Sequence, residues 1–316
     1  MSDSFTYLVL GAGRQGAAAA YDMARWGQAS RVILADRDLG IAQQAAERVN
    51  SLNRDSIVEA RQVDVTDPQS LRQALSGIDA CLSAVPYIYN PDITQAAVEA
   101  GVSLCDLGGN IDIARRQHGQ DEAARAAGIS IIPNCGQVPG MGTSLSVFAM
   151  QLLDEAQDVF MWDGGIPQDP RPPFNYLLTF QIAGLTNEYA EPAMFIRNGK
   201  VTQVEPMTEV EEVEFPEPIG KLEAFVAGGG TDTMPWTFEG RLRTLQNLTL
   251  RHPGHFAQLR AFYDLGLWDL EPVQVGGPTK IFSSEHPWDL TSIETWLDGS
   301  PLKKIIKDPR TGFALG

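Results

Sequence analysis

Near the start of the chain stands the stretch Phe5-Thr6-Tyr7-Leu8-Val9-Leu10-Gly11-Ala12-Gly13-Arg14-Gln15-Gly16, an apolar run that ends in the pattern G-x-G-x-x-G. The alanine-rich residues 17–20 that follow favour a helix. This order predicts a strand, a tight glycine turn and a helix N-terminus in direct succession. In such a unit the first glycine permits the turn, the second lets the backbone approach a pyrophosphate, and the third lets the helix pack on the strand. An ordinary strand-turn-helix without a ligand is the alternative.

A second apolar run, Arg31-Val32-Ile33-Leu34-Ala35-Asp36, ends in an acid about 20 residues after Gly16. A carboxylate at this spacing accepts hydrogen bonds from the ribose hydroxyls of adenosine and repels a 2′-phosphate. The two motifs together predict a dinucleotide site that takes NAD, although the neighbouring arginines would suit NADP. The cofactor residues predicted from these motifs are Gly11, Gly13, Arg14, Gln15, Gly16, Asp36 and Arg37.

The composition is that of an acidic globular protein. Of the 316 residues, 43% are hydrophobic and 20% are charged, which supplies enough apolar surface for one large or two ordinary domains. The formal net charge of −16 argues against nucleic acid and anionic membranes as partners, because both need cationic surface. Apolar runs stay shorter than the ~18 residues of a membrane span, and the acidic start Met1-Ser2-Asp3-Ser4 is unlike a secretory signal. We therefore expect a cytoplasmic protein.

The three cysteines, Cys81, Cys105 and Cys135, lack C-x-x-C spacing. A sparse and odd set fits a reducing compartment and argues against a disulfide framework or structural zinc. The sequence contains no evident cluster of metal ligands and no G-x-S-x-G elbow. We predict neither a metal site nor a serine-hydrolase site.

The first half of the chain predicts a doubly wound parallel Rossmann sheet, in a dinucleotide-binding domain over residues 1–140. After the two runs above, four more apolar runs read as strands and alternate with segments of helical spacing. The strands are expected at 58–63, 78–84, 102–106 and 129–133, and the helices at 39–49, from Pro68, from Pro91 and at 111–127. Ligands bind at the carboxyl ends of parallel strands, so residues just after them are candidates for cofactor contacts.

Two of these strand ends carry specific predictions. Asp64-Val65 follows the third strand, where Asp64 could accept a hydrogen bond from the adenine amine. The alternative for this acid is a helix N-cap, a role that Thr66 or Asp67 fits better. Ala84-Val85-Pro86 closes the fourth strand, and small residues there are expected to border the nicotinamide ribose.

The second half predicts an α+β domain on a mixed or antiparallel sheet over residues 141–316, which we assign to substrate binding and dimerisation. A glycine- and proline-rich crossing at 134–143 leads into it, followed by a helix at 144–153. Apolar or alternating runs lie at 159–162, 175–181, 193–196, 201–204, 221–227 and 245–250, with a helix at 256–265. The acidic run 209–217 reads as a solvated edge strand or loop, and the C-terminal end could return to the first domain.

Four further stretches carry a more specific resemblance. They are Pro133-Asn134-Cys135-Gly136-Gln137-Val138-Pro139-Gly140, Gly164-Gly165-Ile166-Pro167, Pro218-Ile219-Gly220-Lys221-Leu222-Glu223-Ala224-Phe225 and Thr249-Leu250-Arg251-His252-Pro253-Gly254-His255. With the glycine motif they resemble the saccharopine dehydrogenase-like family, from Tyr7 to Leu270. The resemblance implies a nucleotide-binding domain joined to a sheet-rich substrate domain, commonly in a homodimer. It also implies NAD-linked oxidation of an amino acid's amine, here the ε-amine of lysine, to an imine or aldehyde that cyclises.

Oxidation of an amine needs a base for the ammonium proton and a cation for the substrate carboxylate. Arg251, at a strand end before the turn His252-Pro253-Gly254, could bind that carboxylate or form a surface ion pair. His255 is the histidine expected to titrate near neutrality, unless it packs locally at a helix start. Asp106, which ends the fifth strand, could hold an amine or act as base, or it could cap the Gly108-Gly109 turn.

Tyr87, Glu223 and Thr231 complete the candidate site residues. The hydroxyl of Tyr87, after the fourth strand, could reach the substrate or simply pack. Glu223 and Thr231 flank the run Gly228-Gly229-Gly230 and could bind substrate, with solvated loop residues as the alternative. Two other functions stay open: an opine-type reductase that joins an amino acid to an oxo acid, and a regulatory protein that binds NAD without turnover.

Overall fold

The computed structural model describes residues 4–178 and 182–266. The chain divides into two compact units, Met1–Met141 and Gly142–Gly316. No helix within the described residues is long and apolar enough to cross a membrane. The predicted return of the C-terminal end to the first domain concerns residues 267–316, which lie outside the described part.

Unit 1 is a six-stranded parallel sheet flanked by helices over its described residues. Its strands are β1 Phe5–Leu10, β2 Ala29–Asp36, β3 Val58–Gln62, β4 Ala80–Ser83, β5 Ser103–Asp106 and β6 Ile131–Ile132. Its helices are α1 Arg14–Trp26, α2 Leu39–Asn53, α3 Pro68–Leu75, α4 Asn90–Ala100, α5 Ile111–His118 and α6 Asp121–Ala127, with a 3₁₀ turn at Tyr87–Tyr89. The strand order β3-β2-β1-β4-β5-β6 reverses direction at β1, which is the switch point where doubly wound sheets bind ligands. The predicted fold class is confirmed.

Both faces of the central strands of unit 1 are buried. Leu8, Leu10 and Ile33 pack on one face, and Val9 and Leu34 pack on the other, each at most 1% exposed. Continuous apolar runs therefore become strands covered on both sides by helices, as parallel sheets require. β1 and β2 pair in parallel within this core, and their carboxyl ends carry the glycine turn and the acid Asp36.

The prediction of a single helix at 111–127 is wrong in one respect, because the structure has two helices in this range. α5 ends at His118 and α6 begins at Asp121, with Gly119 and Gln120 between them. Glycine in a helix interior costs about 1 kcal/mol relative to alanine, so the break falls where the helix is weakest. The predicted start of α3 is correct, since Asp67 accepts a hydrogen bond from the Gln69 N–H and Pro68 follows it.

Unit 2 is built on a mixed sheet. Its elements are α7 Met141–Gln151, β7 Asp158–Asp163, α8 Ile182–Ala190, β8 Ala193–Arg197, β9 Lys200–Val204, β10 Glu211–Glu214, β11 Lys221–Val226, α9 Met234–Phe238, β12 Thr244–Arg251 and α10 His255–Asp264. The antiparallel order is β10-β11-β12-β8-β9, and β7 adds to β12 in parallel. The acidic run contributes β10 at an edge, which confirms the edge-strand interpretation. The mixed sheet of the second half is confirmed as well.

The alternating run at 175–181 does not form a strand where it is described, at 175–178. Asn175 has a positive φ of 50°, which is incompatible with extended backbone, and the helix α8 begins soon after, at Ile182. Tyr176 is nonetheless 4% exposed, because it packs with Tyr189 and Phe225. Alternation over a short run here reflects burial from a loop, and residues 179–181 lie outside the described part.

Candidate functional site

The glycine turn after β1 contains three glycines, of which the fold itself requires two, Gly11 and Gly16, but not the third, Gly13. Gly11 has φ +94°, and a Cβ there would lie 2.7 Å from the Ala84 carbonyl oxygen. A Cβ on Gly16 would lie 1.8 Å from the Gly11 carbonyl oxygen, so the chain tolerates only glycine at both positions. A Cβ on Gly13 would meet no heavy atom within 4 Å. The missing side chain at Gly13 therefore keeps open a space that the protein itself does not fill.

This open space lies at the N-terminus of α1. Gly13 is the N-cap residue of α1, and no side chain caps that end of the helix. The N–H groups of a first helical turn and the helix dipole attract an anion, and a dinucleotide pyrophosphate is the anion that this motif holds. Arg14 and Gln15 lie exposed in the same turn. The local structure fits a dinucleotide.

Asp36 joins the end of β2 to the glycine turn. Its Oδ2 accepts a hydrogen bond from the Ala12 N–H at 2.9 Å, and its Oδ1 accepts one from the Asp38 N–H at 3.0 Å. The structure thus brings the acid beside the turn, as the sequence spacing predicts. Arg37 is exposed next to it, and its carbonyl accepts a hydrogen bond from Gln62 Nε2 at 3.0 Å.

The residues after β3 and β4 surround the same edge of the sheet. Asp64 is exposed, and its Oδ1 accepts hydrogen bonds from the N–H and the hydroxyl of Thr66, which hold the pKa of this carboxyl below its usual value. Val65 and Val85 pack against the core, and the Ala84 carbonyl abuts Gly11, while Pro86 is exposed. One oxygen of the Asp64 carboxylate, Oδ1, therefore bonds to a neighbouring residue in the chain rather than facing a ligand alone.

Asp106 is completely buried at the end of β5. Its Oδ1 accepts from the N–H groups of Gly108 at 2.8 Å and Asn134 at 3.1 Å, and its Oδ2 accepts from Gln117 Nε2 at 2.8 Å. Three donors on one buried carboxylate favour the turn-capping interpretation over a role as base. Tyr87 lies part-buried at the start of the 3₁₀ turn after β4.

A row of polar side chains crosses the interior of unit 2. Asn247, Thr249 and Arg251 alternate along β12 and so face one side of the sheet, where they are only 3–4% exposed. Arg251 donates from Nε to the Tyr189 hydroxyl at 2.7 Å, and from Nη1 to Thr249 Oγ1 at 2.8 Å and the Leu250 carbonyl at 2.9 Å. Its guanidinium also lies 4.9 Å from the centre of the Tyr176 ring. The surface ion pair considered for Arg251 is wrong, because this cation is buried.

His255 belongs to the same network. Its Nδ1 lies 2.9 Å from the Phe174 carbonyl oxygen, which can only accept, so Nδ1 carries the proton. Its Nε2 then accepts from the Tyr189 hydroxyl at 3.0 Å, and that hydroxyl in turn accepts from Arg251. Burial lowers the pKa of His255 to about 4. The prediction of a histidine that titrates near neutrality is therefore wrong, since this imidazole is neutral and packed in the core.

Two acids flank Arg251 that the sequence did not single out. Glu188 Oε2, on α8, lies 3.7 Å from Arg251 Nη2, and its side chain retains 32% exposure. Asp163 ends β7, and its Oδ1 accepts from Asn247 Nδ2 at 3.0 Å. Burial and the charge of Asp163 raise the pKa of Glu188 to about 7 although Arg251 opposes the shift, and burial raises the pKa of Asp163. Perturbed carboxyl groups beside a buried cation are typical of functional sites.

The other two substrate candidates make local contacts. Glu223 Oε1 accepts from the Gly254 N–H at 2.9 Å and its Oε2 from the Phe256 N–H at 3.3 Å, so it caps the start of α10. Thr231 is 1% exposed and donates to the Met194 carbonyl at 2.6 Å. These bonds tie Glu223 to the start of α10 and Thr231 to β8. Across the described ranges no group of three metal-ligating side chains is found.

Two protein families match the chain. Residues 7–132 match the family described as "Saccharopine dehydrogenase NADP binding domain", and residues 138–304 match the "Saccharopine dehydrogenase C-terminal domain". The second match extends beyond Leu270, where the resemblance seen in the sequence ends.

Curated relatives are similar at low identity. The chain is 23% identical over 216 residues to "Saccharopine dehydrogenase [NADP(+), L-glutamate-forming]" of Schizosaccharomyces pombe, covering 66% of this chain and 47% of that one. It is 24% identical over 247 residues to "Alpha-aminoadipic semialdehyde synthase, mitochondrial" of Rattus norvegicus, covering 74% and 25%. The chain thus spans half or less of these two relatives.

One solved structure shares the fold over most of the chain. It is the apo histidine-tagged saccharopine dehydrogenase (L-Glu forming) from Saccharomyces cerevisiae, with a TM-score of 0.67 and 20% sequence identity. The match covers 85% of this chain and 60% of that one.

Proposed function

The chain belongs to the saccharopine dehydrogenase family, and from that premise we propose that it is an NAD-dependent oxidoreductase that oxidises the amine of an amino acid. We take the ε-amine of L-lysine as the substrate group, which makes the protein similar to lysine 6-dehydrogenase. The observation that carries the proposal is a cluster in unit 2, in which the buried Arg251 lies beside the part-buried carboxylates of Glu188 and Asp163. It offers charges of both signs to an amino acid, while unit 1 offers the glycine turn to a dinucleotide.

The choice of NAD rests on Asp36. Its carboxylate ends β2 beside the glycine turn, where a ribose 2′-phosphate would meet a like charge. The name of the fission yeast relative specifies NADP(+), so this is a point on which the chain departs from that relative. The exposed Arg14 and Arg37 are the residues through which NADP would compete.

The chemistry divides between the cofactor and the chain. Nicotinamide, when bound, would supply the acceptor for the hydride of a carbon that carries a neutral amine. Arg251 supplies the cation for the substrate carboxylate, and Tyr189 and His255 hold its guanidinium in place. In unit 1 we propose that the Tyr87 hydroxyl contacts the substrate, whereas Asp106, which already accepts three hydrogen bonds, holds the turn at Gly108.

A spectrophotometric scan tests the proposal. Purified protein is mixed with NAD or NADP and each of a series of amino acids, and NADH formation is followed at alkaline and neutral pH. We expect lysine to give the highest kcat/KM and NAD to be preferred. Absence of turnover with every basic amino acid and either cofactor would contradict the proposal.

The second candidate is an opine-type reductase, which the family match favours because a named relative forms L-glutamate from saccharopine. Such an enzyme consumes NAD(P)H only when an amino acid or its semialdehyde and a second partner are both present. The same scan run in the reductive direction, with each partner alone and then with both, separates the two reactions.

A further inference from the structure

We propose that Asp163, Asn247 and Glu188 form a cradle for a primary ammonium group of the substrate, and that this group is the α-ammonium rather than the amine that is oxidised. The inference rests on the proposed function, since it names how unit 2 recognises an amino acid. The three residues come from β7, β12 and α8, so the packing of α8 on the sheet assembles them.

The first observation is a buried acceptor with nothing to accept. Asn247 is 3% exposed and donates from Nδ2 to Asp163 Oδ1 at 3.0 Å, which places its amide oxygen in the same cluster. That oxygen, Oδ1, has no hydrogen-bond partner within the described part of the chain. A buried polar atom left unpaired costs about 1–3 kcal/mol, so such an atom points to a donor that arrives from outside.

The second observation is the chemistry of the acceptors. An ammonium group carries three N–H donors and accepts nothing. The cluster offers it the two carboxylates, of Asp163 and Glu188, and the Asn247 amide oxygen. Glu188 keeps about a third of its side chain exposed, so the cluster is open on that side.

The third observation is the balance of charge. The cation that acts on both acids is Arg251, whose Nη2 lies 3.7 Å from Glu188 Oε2. One guanidinium does not offset two part-buried carboxylates, and both groups have pKa values above their usual range. A second cation, supplied by the substrate, would let both acids ionise.

The oxidised amine is excluded from this cradle by its own chemistry. Hydride leaves only from a carbon bearing a neutral amine, whereas two carboxylates stabilise the charged ammonium. The amine held here is therefore the one that does not react. In lysine that is the α-ammonium, whose carbon also carries the carboxylate, and the cation next to the cradle is Arg251, whose Nη2 lies 3.7 Å from Glu188 Oε2.

The test compares two substrates in matched variants. L-Lysine has the α-ammonium, and 6-aminohexanoic acid lacks it but keeps the carboxylate and the amine to be oxidised. We expect Glu188→Gln and Asp163→Asn each to lower kcat/KM for lysine roughly ten- to hundredfold, the range of a hydrogen bond to a charged group, and mostly through KM. For 6-aminohexanoic acid the change should stay within about threefold, since that substrate never makes the contact.

Glu155→Gln serves as the control, because it removes an exposed carboxylate of unit 2 away from the cluster. An equal loss on both substrates would assign Glu188 and Asp163 a purely structural role and overturn the cradle, as would no loss on either. Circular dichroism and thermal unfolding report whether each variant is folded.

Failure of the proposed function itself gives a different pattern. If the wild-type protein oxidises no amine, binding of the same two compounds is measured by calorimetry. Lysine that binds at least about tenfold more tightly than 6-aminohexanoic acid, with the difference abolished by Glu188→Gln, supports the cradle without turnover. Equal binding of the two compounds, or binding of neither, overturns it.

Discussion

His255 shows how burial decides what a titratable residue can do. Its neutral imidazole donates to the Phe174 carbonyl and accepts from Tyr189, and burial lowers its pKa from the ordinary 6.5 to about 4. The unfolded chain therefore binds a proton at a pH where the folded chain does not. The stability that this residue contributes is complete above pH 6.5 and is lost as the pH falls toward 4.

The first prediction follows from that sign. The free energy of unfolding of wild-type protein minus that of His255→Asn should fall by about 3 kcal/mol between pH 7 and pH 4, measured by urea denaturation. Asparagine does not titrate, so the difference isolates the imidazole. The raised pKa of Glu188, about 7, acts in the opposite direction, because the folded chain then gains stability as the pH falls from 7 to about 4.5. Parallel pH profiles for wild type and His255→Asn would contradict the assignment.

Asp36 gives the second prediction. Asp36→Ala should weaken NAD binding, measured by calorimetry, at least about tenfold, since the ribose hydroxyls lose a charged acceptor. The affinity for NADP should fall less or rise, because the repulsion of its 2′-phosphate is removed. Asp64→Ala is measured for comparison. We expect it to lower NAD affinity less than Asp36→Ala does, because Oδ1 of the Asp64 carboxylate already accepts hydrogen bonds from Thr66. Unchanged NAD affinity in Asp36→Ala would remove this residue from the site.

Among individual residues, the sequence predicts the position of Asp36 at the cofactor site but does not single out Glu188 or Asp163. Asp36 belongs to a local motif, in which one βαβ unit fixes the distance from glycine turn to acid. Glu188 becomes significant only through Arg251, 63 positions away, and Asp163 through Asn247, which a hydrogen bond joins to it across 84 positions. No periodicity carries that information, since it arises from the packing of α8 on the sheet and from the pairing of β7 with β12.

At the scale of the element, the glycine turn and α1 give the third prediction. Gly13→Ala should leave the protein folded, because a methyl group there meets no heavy atom within 4 Å, and alanine at an N-cap costs about 1 kcal/mol. NAD affinity should nevertheless fall at least about tenfold, because the methyl group occupies the space for the pyrophosphate.

Gly16→Ala is the contrasting variant. Its methyl group would lie 1.8 Å from the Gly11 carbonyl oxygen, so this variant should have a lower midpoint of thermal unfolding. Wild-type NAD affinity in Gly13→Ala would show that the open space is not the phosphate site.

Elements were predictable where burial is regular. The strands of unit 1 lie in continuous apolar runs that helices cover on both faces, and their short length and flanking glycine or proline distinguish such runs from buried helices. α8 was not predicted, because the alternating run before it predicted a strand, whereas over the described residues 175–178 Tyr176 is buried without one. The break between α5 and α6 depends on Gly119, whose effect on a helix of suitable spacing is a matter of about 1 kcal/mol.

For the whole molecule, the two units imply two separable ligand responses. The glycine turn and Asp36 lie in Met1–Met141, whereas Arg251, Glu188 and Asp163 lie in Gly142–Gly316. Hydrogen exchange with mass spectrometry should therefore show NAD slowing exchange in peptides around 11–16 and 35–38, because backbone N–H groups there bind the phosphates. Lysine added to the NAD complex should slow exchange in peptides around 161–164, 185–190 and 247–252. Each ligand stabilises the unit that binds it, by about 2.7 kcal/mol at a hundredfold excess over its Kd.

Asp36→Ala should remove the protection by NAD and Glu188→Gln the protection by lysine, each while sparing the peptides of the other unit. Lysine protection confined to unit 1 would contradict the assignment of substrate recognition to unit 2.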